Sequence, residues 1–153
     1  MKKGTSFLAF LIAFSFIQCN SLKLESNPPF KIKGATYNYW VGGQPGISGI
    51  KVNIRYKSKN DIVFETLYFQ NRTVKIEVRT VKGKSYLIGH FDTSTREDII
   101  VVEENTVPKP VAIKPKFPFD LKDNEAVIKC KEKNKVKYFK IQNIKKTKTD
   151  FYP

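Results

Sequence analysis

The chain has 153 residues, 41% of them apolar, and its 28 lysines and arginines against 14 acids give a formal charge of +14 at neutral pH. That length suits one domain, large enough to bury a core without help. A single histidine and two cysteines exclude a multi-histidine metal centre and a disulfide framework.

Met1-Lys2-Lys3 precedes "FLAFLIAFSFI", Phe7 to Ile17, an uncharged apolar run of 11 residues. A basic start followed by such a run is the anatomy of a secretory signal, and it falls short of the roughly 20 residues of a membrane-spanning helix. Residues 1–18 are therefore expected to be a signal peptide. "FIQC" ends the run at Cys19 and resembles the box that closes bacterial lipoprotein signals, whose cysteine is lipidated and begins the mature protein. Gln18 stands where such signals carry a small residue, and ordinary cleavage near Cys19–Ser21 is the competing outcome. The resemblance implies lipid attachment at Cys19, with residues 19–29, polar and ending in Pro28-Pro29, as a linker. Loss of residues 1–18 takes Lys2 and Lys3 from the +14, leaving +12 on 135 residues. Such an excess favours anionic surroundings (phospholipid head groups, acidic polysaccharide or nucleic acid), although lysines spread this evenly also serve as a solubilising skin.

Period-two alternation dominates residues 30–153. "FKIKGATYNYWV" opens the series. In "GIKVNIRYKS", Ile50, Val52, Ile54 and Tyr56 share one face and Lys51, Asn53, Arg55 and Lys57 the other. "IVFETLYF" is apolar in both phases, as a central strand would be, with Val63, Glu65, Leu67 and Phe69 in one of them. "TVKIEVRTV" predicts Val74, Ile76 and Val78 inward. "KSYLIGHF", "DIIVVEE", "EAVIKCKE" and "KVKYFKIQNI" complete the set. Cys130 shares the phase of Ala126 and Ile128 and is expected to be a small buried hydrophobe. Turns are expected at "KSKND", "QNR", "KGK" and "KEKNK". The glycine-rich "VGGQPGISG" and the proline-rich "TVPKPVAIKPKFPF" interrupt the rhythm, the latter as an edge or crossover. Seven to nine short strands with turns at this spacing predict an all-β fold, a single immunoglobulin-like β-sandwich, with a small β-barrel as the alternative.

Few residue groupings carry chemistry. "GHFD" places His90 and Asp92 on one strand face, the only acid–base pairing that could serve a secreted hydrolase or a metal-assisted enzyme. A polar-face pair beside a turn accounts for them more simply. The basic, aromatic tail "NKVKYFKIQNIKKTKTDFYP" could meet nucleic acid, but export argues against that partner, and lysines on an outer strand also discourage edge pairing. The best binding feature is "TYNYWVGGQPG". Tyr37 and Tyr39 share one strand face beside Gly42, Gly43 and Gln44 and can stack on sugars, prolines or bases. Trp40 points the other way and is expected to be the core tryptophan.

The short lipoprotein-like signal, "YWVGG" with its glycine loop, "YFKIQNI" and the terminal "YP" together resemble small envelope lipoprotein-like proteins of the Bacteroidota. The resemblance spans residues 20–153 and implies an envelope location and a β fold, with no activity attached. The resulting expectation is a non-enzymatic, membrane-anchored envelope module without cofactor or metal, meeting an envelope protein or a glycan through loop 41–49 and the Tyr37/Tyr39 edge. The alternatives are the His90/Asp92 enzyme and a secreted basic protein that binds anionic polymers.

Overall fold

A computed structural model describes residues 22–95 and 117–153. The signal segment, Cys19, the expected strand at Asp98–Glu104 and most of the proline-rich stretch lie outside the described residues.

Eleven strands are present among the described residues: β1 (Leu24–Glu25), β2 (Phe30–Val41), β3 (Ser48–Ser58), β4 (Val63–Phe69), β5 (Arg72–Lys75), β6 (Glu77–Val81), β7 (Lys84–Asp92), β8 (Ala126–Glu132), β9 (Lys135–Ile141), β10 (Lys145–Lys146) and β11 (Asp150–Phe151). One sheet runs β1-β9-β8-β4-β5 and the other β10-β2-β3-β7-β6, with β11 also on β2. Neither closes on itself, so the barrel alternative is excluded. The order β2-β3-β7-β6 facing β9-β8-β4-β5 is the A-B-E-D and G-F-C-C′ arrangement of an immunoglobulin-like sandwich. Two short parallel pairings finish the edges, β1 along β9 and the β10/β11 tail along β2. Both would otherwise present unpaired backbone groups to another chain.

Hairpin turns set the register. Gln70–Asn71, Lys82–Gly83 and Lys133–Asn134 are two-residue loops with positive φ at both positions, the dihedral signature of type I′ turns, whose twist matches that of paired strands. All three fall where turns are expected.

The core lies between the sheets and is built from alternate residues of each. Ile50, Val52 and Ile54 come from β3, Leu87 and Phe91 from β7, Leu67 and Phe69 from β4, and Ala126, Ile128 and Cys130 from β8. Cys130 is fully buried with a free thiol, and burial pushes that thiol up to about 11.

Three details depart from strict alternation. A bulge between Phe64 and Thr66 sets two residues of β4 against Lys129. It brings Phe64 into the phase of Leu67 and Phe69 and turns Val63 (59% exposed) and Glu65 out of it. "TVKIEVRTV" is not one strand: β5 pairs with β4, and after Ile76 the chain changes sheets so that β6 pairs with β7. Ile76 is buried at the crossing. Val78 is paired with core-facing Leu87 yet 51% exposed, so the predicted inward position fails there. The facing sheet ends at β5, and nothing among the described residues covers the inner side of β6 at that point.

The third departure reverses the expected aromatic phase of β2. Tyr37 is a core residue, 7% exposed, with its ring 5.0 Å from that of Phe69 in an edge-on arrangement. Trp40 is half-buried on the outer face. It lies against Gly49, where an added Cβ would fall 2.4 Å from the indole, with Tyr152 edge-on at 6.3 Å. A register bulge between Ile32 and Gly34 shifts the first part of β2 by one residue, and Phe30, Ile32 and Ala35 therefore share the inner face with Tyr37.

Candidate functional site

Because β2 turns Tyr37 and Tyr39 inward, the pair sits at one end of the sandwich, at the rim of the core. Their rings meet edge-on at 6.0 Å. Around them the fold gathers three other segments: the β4–β5 turn with Gln70 and Asn71, the approach to β8 with Leu121 and Asp123, and Lys146 of β10. These seven residues line a small polar recess of about 280 Å³.

Tyr39 donates its hydroxyl to Gln70 Oε1 at 3.3 Å, and Gln70 Nε2 donates to the Asp123 carbonyl at 3.1 Å. Lys146 Nζ stands 4.8 Å from the centre of the Tyr39 ring, a cation over a π face. Burial, then the neighbouring Tyr39 and Asp123, raises the Tyr37 hydroxyl above the ordinary phenol range. The recess therefore offers a neutral phenol, amide groups, one carboxylate and one cation. It can hydrogen-bond a polar group of a partner, but one face of the Tyr39 ring is already occupied by the lysine.

The structure separates the predicted site residues. Tyr37 and Tyr39 line the recess, while Gly42, Gly43 and Gln44 do not. The glycine loop is organised by its own backbone: Gly42 N donates to Ile47 O at 2.9 Å and Ile47 N to Gln44 O at 3.3 Å. Gly43 lies so close to Pro153 that a Cβ there would come 2.4 Å from the Pro153 carbonyl carbon. Gly46 has φ of +79° and accepts from Thr95 N at 2.9 Å. These glycines permit close backbone approach. The partners that do surround the tyrosines, Gln70 with Asn71, Asp123 and Lys146, could not be chosen from the sequence, since they come from three different parts of the chain. Only the turn at Gln70–Asn71 had a local signal.

His90 and Asp92 both lie on the outer face of the β2-β3-β7-β6 sheet. His90 is half-exposed, with Nε2 3.8 Å from Glu77 Oε2, and Asp92 Oδ1 accepts from Ser94 N at 2.8 Å. Glu77 itself is held by Arg79 at 2.6 Å, which with the His90 and Lys51 charges lowers its carboxyl below the usual range. No cluster of three or more histidine, cysteine or acidic side chains suited to a metal occurs among the described residues.

The two outer faces differ in charge. On the β9-β8-β4-β5 face, Glu65 bridges Lys129 (2.8 Å) and Lys131 (2.6 Å) and buried Glu125 binds Lys140 (2.7 Å), while Glu132 binds Lys137 (2.9 Å) at the end of the sandwich, in the phase of Cys130. Tyr68 lies on the same face, edge-on to Phe119 at 4.9 Å. The opposite face carries Lys51, Arg55 and Lys57, none of which pairs with a carboxylate among the described residues. No protein-family model, no curated protein and no solved structure matches this chain.

Proposed function

We propose that this chain is a non-enzymatic binding module of the bacterial envelope, exported by residues 1–18 and anchored through a lipid on Cys19, with an envelope protein or a glycan as its partner. Support for export comes from the basic start and the apolar run Phe7–Ile17. Support for anchoring comes from the place of Cys19 at the end of that run, before a polar linker. The observation that carries the binding reading is the recess of about 280 Å³, where three other segments converge on Tyr37 and Tyr39. Its amides, carboxylate and cation offer hydrogen bonds to a hydroxyl-bearing or peptide partner. A sandwich of paired strands holds them in fixed register.

Two measurements test this. Intact mass of protein extracted from membranes should show an acylated glyceryl cysteine at position 19, abolished by Cys19→Ser; an unmodified chain beginning after Ser21 would overturn the anchoring. A photo-crosslinking residue in place of Asn71 should capture an envelope component from intact cells, and capture should fall when Lys146→Ala is added. Equal capture from a crosslinker at Lys133, in the β8–β9 turn at the other end of the sandwich, would overturn the recess as the contact.

A further inference from the structure

A second surface lies away from the recess, on the outer face of the β2-β3-β7-β6 sheet. A groove of about 520 Å³ crosses it, with Arg55 and Tyr86 in the floor, Lys145 at one side, and Thr36, Asn53 and Gln142 offering hydroxyl and amide groups. Gly34 contributes no side chain, and nothing stands within 4 Å of where its Cβ would be, so the floor is open there. The groove does not end at Arg55. That residue also lines a second hollow of about 350 Å³, together with Lys33, Lys57 and Lys84. Lys33 and Lys57 in turn line a third hollow of about 520 Å³, which adds Lys31 and Lys59. The three are joined by shared residues into one track along the sheet, and no aspartate or glutamate lines any of them.

We infer that this track binds a linear acidic polysaccharide, a chain of carboxylated sugars laid across β2, β3 and β7. This rests on the reading of the protein as an exported binding module, and it names a ligand class and a surface that the recess does not provide. The track is extended and lined by at least one cation in every part, which suits a repeating anion better than a single one. Arg55 keeps its guanidinium in place by donating from Nη2 to the Lys33 carbonyl at 3.1 Å, across the β2 bulge, while its other N–H groups stay available for a carboxylate. The hydroxyl and amide groups match sugar hydroxyls, and Tyr86 gives one ring for a pyranose face. Single-stranded nucleic acid is held by successive stacking rings, and Tyr86 is the only outward-facing ring of the floor. A bilayer is entered by exposed apolar side chains, and none of the exposed large hydrophobics lines the track.

The test is affinity electrophoresis of the full chain through gels containing polygalacturonate, with neutral dextran, duplex DNA and anionic phosphatidylglycerol vesicles as comparison partners. Retardation by polygalacturonate but not dextran is expected, weakening as salt is raised. Arg55→Ala and the pair Lys33→Ala/Lys57→Ala should each weaken binding about tenfold, as expected for losing a charge-assisted hydrogen bond to a carboxylate. The pair Lys75→Ala/Lys135→Ala removes the same charge from the other sheet and should leave binding within about twofold, because distant exposed charges are screened. Should Arg55→Ala unfold, Arg55→Lys and the Lys33/Lys57 pair carry the same comparison. No retardation by polygalacturonate overturns the proposal, as does an equal loss in the Lys75/Lys135 control. DNA or vesicles held as tightly as polygalacturonate, with the same sensitivity to the track substitutions, overturn the polysaccharide assignment. None of these results bears on crosslinking at Asn71 or on the mass of the anchored form, so the two readings fail separately.

Discussion

Leu67 of β4 and Gly89 of β7 meet across the middle of the sandwich, so closely that a Cβ on Gly89 would lie 2.6 Å from Leu67 Cδ2. Gly89 has ordinary strand geometry, so its role is spatial: it lets the isobutyl group of Leu67 reach the opposite sheet. Leu67 is fully buried and Val74 also borders the position, leaving the methyl little room to yield. Gly89→Ala is expected to destabilise the fold by about 1–3 kcal/mol through overpacking. Leu67→Ala should cost about 2–5 kcal/mol through the cavity it leaves. Combined, the two should cost less than the sum of the singles, because the alanine methyl enters space the leucine has vacated. Urea denaturation of the three variants checks this, and strict additivity would show that the two residues do not share the contact.

Trp40 provides a second test, since it is the only tryptophan in the chain. Its indole lies on Gly49 and beside Tyr152 on the outer face. Gly49→Ala should lift the ring into solvent, and the emission maximum should move to longer wavelength without loss of sheet structure by circular dichroism. Tyr152→Ala should produce a smaller shift in the same direction. An unchanged spectrum for Gly49→Ala would place the indole elsewhere.

Stability should fall in acid in a way that can be traced to single carboxylates. The side-chain bond from Lys140, then the backbone N–H of Lys122, holds the Glu125 carboxyl below the usual range, and Lys129 followed by Lys131 does the same for Glu65. A carboxylate with a depressed folded pKa adds stability that is fully present above its unfolded value, near 4.3, and is lost as pH drops through the folded value. Melting temperatures measured from pH 7 to pH 2.5 should therefore decline below about pH 4. Glu125→Gln should lower the plateau and flatten the decline, while an unaltered acid slope would remove Glu125 from the linkage.

The thiol of Cys130 is fully buried, and burial raises it to about 11. Reaction with a thiol reagent at pH 8 should be slow in the native protein and fast in denaturant, measured in a Cys19→Ser background so that one thiol is counted. Fast native labelling would mean that β8 opens locally.

Turn chemistry leaves room for improvement. Lys82 adopts φ of +48° ahead of Gly83, a left-handed conformation that costs a lysine more than an asparagine. Lys82→Asn converts the β6–β7 loop into an Asn-Gly turn and should stabilise the domain by about 0.5–1 kcal/mol, read as a rise in the denaturation midpoint. No gain would indicate that the turn forms without strain.

Much of the architecture was legible in local pattern. Ile50, Val52 and Ile54 lie inside as their alternation requires, and Cys130 is buried beside Ile128. The turns at Gln70–Asn71, Lys82–Gly83 and Lys133–Asn134 sit where turn residues interrupt apolar runs. Each depends on interactions within a few residues, where the side-chain period of a strand is enough to decide which face is buried. Local pattern went wrong where one residue was inserted or the partner sheet changed. The bulge after Phe64 moved Val63 outward, the crossing at Ile76 left Val78 uncovered, and Tyr37 took the core position expected of Trp40.

Alternation of apolar and polar side chains determined that this chain makes strands and stacks them into two layers, because only paired, twisted sheets can hide one face of each. Tertiary structure alone decided which strands became neighbours, and with them the two surfaces of interest. Lys146 reaches Tyr39 because the tail returns alongside β2, and Lys33 joins Arg55 and Lys57, already neighbours on one face of β3, because a bulge sets β2 in that offset. Such pairings join residues far apart in the chain, where loop closure and edge pairing set the outcome and no neighbouring residue records it.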